Sequence, residues 1–162
     1  MEVDQLGTAS AYADLLPGMA FRLGFRHRIH VCLKTAEAGK ALGCAVLGPG
    51  HPDYNAKPGL IIDPAMEGCT VLALPGLRFV VSRDPKHWTM GQGTSLELGT
   101  VLLMPNRTML CVGHEKSQAV KVDVGTGEIV QEKLTDVPII VRSWSLVNVT
   151  GDKAETVFEF AA

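Results

Sequence analysis

The chain is poor in the features that would announce a catalyst, a membrane protein or a secreted one. Its longest uncharged apolar runs, such as CTVLALPGL, fall well short of the roughly 20 residues a membrane helix needs, so no membrane partner is expected. The opening MEVDQLGTASAY has neither the basic stretch nor the apolar stretch of a secretion signal, which points to a cytoplasmic protein or an intracellular particle. No C-x-x-C motif joins Cys32, Cys44, Cys69 and Cys111. Three of these, Cys32, Cys69 and Cys111, sit in or beside apolar strand-like runs, so the four read as free thiols of a reducing compartment. A chain this long does not need disulfide staples. There is no G-x-S-x-G elbow, P-loop, H-E-x-x-H or G-x-G-x-x-G, no reaction type can be named, and neither a cofactor nor a metal site is expected. No segment shows a sustained helical period either, which removes the α/β nucleotide-binding folds. A net charge of −2 argues against a nucleic-acid partner, since such domains are usually basic.

What is present is apolar material finely punctuated. The 162 residues are 46% apolar and include 17 glycines and 9 prolines. That is one domain's length, with a real core and many short elements joined by tight turns. Alternating or short apolar segments recur with turn signals between them. The clearest are CAVL (44–47), LIID (60–63), CTVLAL (69–74), LRFVVSR (77–83), TMLCVGHE (108–115), VPIIVRSWSLVNVT (137–150) and TVFEFA (156–161). AVKVDV and EIVQEKL flank GTG as a hairpin. The pattern predicts an all-β fold, an antiparallel sandwich or barrel of about ten short strands over residues 19–162. Residues 1–18 precede it as an arm or a short helix. LPGMAF (16–21) is echoed by LPGLRF (74–79), a likeness that ordinary Pro-Gly turn chemistry explains.

The longest alternation is MAFRLGFRHRIHVCLK, Met19 to Lys34. Read as one extended strand with a bend at Gly24, it puts an apolar face on one side. Arg22, Arg26, Arg28, His30 and Lys34 would then line the other. Such a row is either the wet face of a sheet or a surface for an acidic or phosphate-bearing partner, since arginine forks bind such groups bidentately. No aromatic interleaves it, so it offers no stacking platform for single-stranded bases. His27 and His30 would point to opposite faces and could not share a metal.

Two loops carry the remaining polar chemistry. Residues 48–59, GPGHPDYNAKPG, bring His51, Asp53 and Tyr54 together, and residues 84–93 bring His87 and Trp88. Tyr54 and Trp88 suit an interface because each joins a large apolar area to a polar handle. His51, Asp53 and His87 would serve a ligand at the mouth of a β-barrel. The first functional reading is a non-enzymatic structural or assembly module that packs on copies of itself or on a larger particle. Virion coat, decoration and tail proteins are the analogy of profile. Its contacts would be Arg22, Arg26, Arg28, His30, Lys34, Tyr54 and Trp88. The alternative is a small-molecule-binding or enzymatic β-barrel with its site at the two loops.

Overall fold

A computed structural model describes residues 7–25, 27–54, 56–91, 97–114, 118–131, 134 and 136–161. The fold is all-β: fifteen strands and four short 3-10 segments among the described residues. Strand β1 (Thr8–Ala11) lies antiparallel on β6 (Thr70–Ala73), which also pairs with β2 (Ala20–Phe25). From β2 the chain runs as an antiparallel meander through β3 (Arg28–Glu37), β4 (Lys40–His51) and β5 (Lys57–Ile61). Strand β10 (Arg107–His114) is the branch point. On one side it pairs with β11 (Gln118–Asp123), which pairs with β12 (Ile129–Val130). On the other, its first half takes β9 (Val101–Met104), and its Gly113 meets Gly59 of β5 in parallel. Beyond β9 lie β13 (Ile139–Val141) and then β8 (Trp88–Met90). A second antiparallel sheet holds β7 (Leu77–Val81), β14 (Ser143–Thr150) and β15 (Lys153–Ala161).

The large sheet curls until it meets itself. The Ala36 N–H donates to the Gly127 carbonyl at 2.9 Å, and Ala36 bridges Glu128 in parallel. The ladder β3–β4–β5–β10–β11–β12 is thereby a ring of six strands, and a ring has no free edge. Glycine is required at this seam: a Cβ on Gly127, at φ +73, would run into the Lys34 carbonyl and the Gly18 nitrogen.

Alternation along each strand divides the apolar side chains among three clusters. Val31 and Leu33 of β3, Leu110 and Val112 of β10, and Val122 of β11 enter the main core. Cys32 faces a second cluster with Tyr12, Phe21, Cys44 and Met66, while Met109 and Cys111 face a third with Leu102 and Ile140. Strands β3 and β10 are thus covered on both faces, which is why the middle of β10, Met109–Val112, reads as a continuous apolar run and why even the polar His30 and Lys34 of β3 are buried. The small sheet closes the main core with Trp144, Leu146 and Phe160. Trp144 stacks on Phe79 and Phe160, with ring centroids 4.7 and 5.2 Å away, and its Nε1 donates to the Gly99 carbonyl at 2.8 Å.

Several sequence expectations need correction. Met19–Lys34 is not one strand bent at Gly24. It is a hairpin: Phe25 of β2 pairs with Arg28 of β3, and the chain reverses between them. His27 supplies the left-handed conformation this turn requires, φ +64. A two-residue turn reverses parity: Phe21 and Leu23 of β2 share a face with His30 and Cys32 of β3. The 48–59 loop is also shorter than its prolines suggest, because Gly48–His51 extends β4 and Lys57–Gly59 opens β5. Pro49 falls at the irregular part of the β4–β5 register, between Val46 and His51, and Pro58 lies opposite it between the paired Lys57 and Gly59, where ladder bonds are not demanded of them, while Pro52 opens the 3-10 segment Pro52–Tyr54. The 137–150 run is two strands in two sheets, broken at Arg142. Within 1–18, the described part forms strand β1 followed by a short 3-10 helix, Tyr12–Asp14, and is packed down with Tyr12 and Leu15 buried.

Candidate functional site

The basic row does not exist as a surface. Because the hairpin turn reverses parity, His30 and Lys34 point at the second core and are 1% and 2% exposed. Arg22 lies on the opposite face of the hairpin, half-buried, with its Nε buried and without a hydrogen-bond partner among the described residues. Arg28 is exposed beside the turn, and Arg26 lies outside the described residues. These side chains therefore cannot jointly grip an acidic partner.

Lys34 instead pins the N-terminal segment. Its Nζ donates to the carbonyls of Tyr12 (2.8 Å) and Ala13 (3.4 Å) and sits 4.3 Å from the centre of the Tyr12 ring. A buried ammonium is tolerated when its protons find acceptors, and an aromatic face adds to them. Tyr12 in turn donates its hydroxyl to the Gly43 carbonyl at 2.6 Å. Burial, then the neighbouring Cys44, push its ionisation far above the ordinary phenol range. Burial likewise raises the Cys32 thiol, helped by its hydrogen bond with Cys44, and burial raises Cys111. Thiols held protonated are poor nucleophiles and poor metal ligands. All four cysteines are free. Among the described residues no three His, Cys, Asp or Glu side chains are grouped to hold a metal.

The two loops fare differently. The ring of Tyr54 lies against Gly113, where a Cβ would collide with it, so this aromatic folds back on the barrel wall. Asp53 is exposed, and the side chain of His51 lies outside what is described. In the second loop, Asp84 caps the 3-10 turn Pro85–His87 and pairs with Lys86 at 2.8 Å. Hydrogen bonding from Lys86 holds the Asp84 carboxyl below its usual range. His87 is half-buried, and its carbonyl accepts the Arg142 N–H at 3.0 Å. The loops hang on different strands, and neither lines either of the two principal cavities among the described residues. Among the described residues no cavity joins Asp53 to His87, and the side chain of His51 lies outside them.

Trp88 is the aromatic of the expected set that stands at an exposed strand edge. It is 37% exposed, with its indole N–H on the Ser82 carbonyl at 2.7 Å. It belongs to β8, which among the described residues pairs only with β13. His87 accepts from Arg142 and Gly91 donates to the Pro138 carbonyl. Alternation therefore turns the Thr89 backbone groups toward β13 and those of Trp88 and Met90 outward. The Trp88 N–H is used by the Pro85 carbonyl. Among the described residues nothing pairs with the Trp88 carbonyl or with either Met90 backbone group. Beside them stand two apolar side chains that the sequence reading overlooked, Met90 at 70% and Val137 at 52% exposure. The apolar–polar–apolar order of Trp88, Thr89 and Met90 was their only signal. A broad open trough of about 670 Å³ begins next to this edge, where Ser82 and Arg83 line it with Val80, Ser145 and Glu159.

A second feature is a cavity of about 270 Å³ between the two sheets. Its floor is Leu33, Leu47 and Leu146; Leu77, Phe79 and Val124 rise around it, and both Leu-Pro-Gly turns reach it. Compared with protein-family models, curated proteins and solved structures, the chain matches none of them.

Proposed function

We propose that this chain is a non-enzymatic β-module that works by protein contact, and that its first partner is a second copy of itself, joined edge to edge along β8. The observation that carries this reading is the exposed apolar pair Trp88 and Met90 on an edge strand with outward backbone groups. Water-exposed apolar strand edges are pairing surfaces unless something blunts them. Within β8 no charge and no proline does so. The segment is also self-complementary. A two-fold axis through Thr89 sets Trp88 against Met90 of the other copy, a favourable sulfur–aromatic pairing, and sets threonine against threonine. Each Met90 N–H then meets the opposite Trp88 carbonyl. The absence of a catalytic grouping among the described residues leaves contact as the simplest use of so much β-surface.

The test is mass in solution. Light scattering after size exclusion should give twice the 17.3 kDa chain mass at micromolar concentration. Met90→Pro removes the outward donor and leaves the bonds to β13, since proline is tolerated on the open side of an edge strand. It should return the chain to monomer with its far-ultraviolet spectrum intact. A monomeric wild type, or a Met90→Pro dimer as stable as wild type, refutes the reading. A wild type that is monomeric alone yet bound to a larger particle through the same edge would replace the second copy by another partner.

A further inference from the structure

We infer that the cavity between the two sheets is a binding site for a small uncharged apolar molecule, or for the neutral apolar tail of a larger one. The inference is independent of the β8 edge. It starts from the walls. Among the residues lining the cavity there is no charged or hydrogen-bonding side chain. The backbone of the turns is already engaged: Gly18 N–H on the Lys34 carbonyl, Lys34 N–H on the Met19 carbonyl, Leu74 N–H on the Ala20 carbonyl and Leu77 N–H on the Leu74 carbonyl, at 2.8–3.1 Å. What polar surface the cavity has is backbone, with the turn N–H groups already engaged, so the side chains offer a guest apolar contact and nothing else.

The same bonds keep the space open. A void normally shrinks by letting its walls relax inward. Here one wall is the Met19–Ala20 turn fastened to β3, and another is the Leu74–Leu77 turn fastened to β2. Gly18, at φ +85, packs so closely on Gly125 and Thr126 that the turn cannot shift that way. The two LPG-x-x-Phe segments thus acquire a common purpose. Each delivers a rigid corner to one cavity, with Phe21 anchored in the second core and Phe79 on the cavity wall. The cavity is also reachable. Pro75 is exposed, and Gly18, Met19 and Val124 are half-buried at the rim, whereas Leu33, Leu47 and Leu146 are buried at the floor.

Size and charge define the guest. At about 30 Å³ per water-sized group, 270 Å³ holds a chain of about eight or nine methylene-sized groups. A carboxylate would have no cation among the lining residues to meet it. The site therefore selects a neutral molecule over an anion of equal length.

The experiment compares 1-octanol with octanoate by saturation-transfer NMR on the full chain, each over its soluble range. Octanol should bind saturably and at least tenfold more tightly than octanoate. Ala20→Leu, which fills the wall, and Leu77→Trp, which blocks the rim, should each weaken octanol tenfold or more. Met90→Pro should leave it unchanged, so that failure here and failure of the contact reading are told apart. Melting curves verify that the variants fold; if Ala20→Leu does not, Leu77→Trp decides. No saturable octanol binding, equal binding of octanoate, or unchanged octanol affinity in a folded filled variant would each overturn the inference.

Discussion

Trp144 ties the small sheet to the barrel, and its replacement by phenylalanine tests how much of the fold rests on that tie. The indole is buried, lies between Phe79 and Phe160, and donates to the Gly99 carbonyl at 2.8 Å. Phenylalanine keeps a ring in the stack and removes the donor. A buried carbonyl left without its partner costs about 1–3 kcal/mol. The two ring carbons that are lost cost about 0.8 kcal/mol each by their area alone. Together Trp144→Phe should destabilise by about 3–4 kcal/mol, a large share of the 5–15 kcal/mol typical of a domain. For a chain of this length the melting temperature should fall by on the order of 10 °C. Guanidinium unfolding followed by far-ultraviolet circular dichroism measures it without relying on the fluorophore removed. Hydrogen exchange should rise first in β7, β14 and β15, because these strands lose their anchor. A Trp144→Phe protein within about 1 kcal/mol of wild type would show that the Gly99 contact and the stack do not hold the sheets together.

Two other perturbations probe the hairpin and the buried phenol. A left-handed residue other than glycine costs about 1–2 kcal/mol, so His27→Val should destabilise the chain while His27→Gly should be neutral or slightly stabilising; urea midpoints that order the two variants the other way contradict the turn geometry. The folded Tyr12 pKa is raised above its ordinary value near 10, so its contribution is fully present below about pH 10 and is lost as pH rises toward the folded value. Stability should therefore decline above about pH 10, with phenolate absorbance at 295 nm from Tyr12 appearing only as the chain unfolds, and Tyr12→Phe should flatten that decline.

Much of the architecture was legible in the residues. Turn signals and period-two apolar segments define an all-β chain, and the Gly125–Gly127 hairpin pairs β11 with β12 where the pattern placed it. The errors share one cause. Periodicity reports which residues alternate, but not where a two-residue turn resets the alternation, and Arg26–His27 carries no glycine or asparagine to mark such a turn. Missing it turned His30 and Lys34 from core residues into a surface. The 137–150 run failed in a related way, since a strand that changes sheets at Arg142 looks continuous along the chain. Of the candidate site, Trp88 was visible as an exposed aromatic in a loop. Met90, Val137 and the cavity were not, because a strand edge and a cavity between sheets are made by residues distant in sequence. The repeated Leu-Pro-Gly was the nearest hint, and only the pairing of β2 with β6 gives it meaning.

The seam between Ala36 and Gly127 also bears on how the chain reaches its native state. The hairpins of β2–β5 and of β10–β12 are local and can form quickly, whereas the seam joins residues more than half the chain apart. Closing so large a loop is entropically costly and comes late, which places the protein among slow folders of the millisecond-to-second class. Until it closes, the end of β3 that β2 does not cover and the outer side of β12 present unpaired strand borders to every other nascent copy. Soluble yield should then depend on synthesis rate and temperature more steeply than the stability of the finished barrel would suggest.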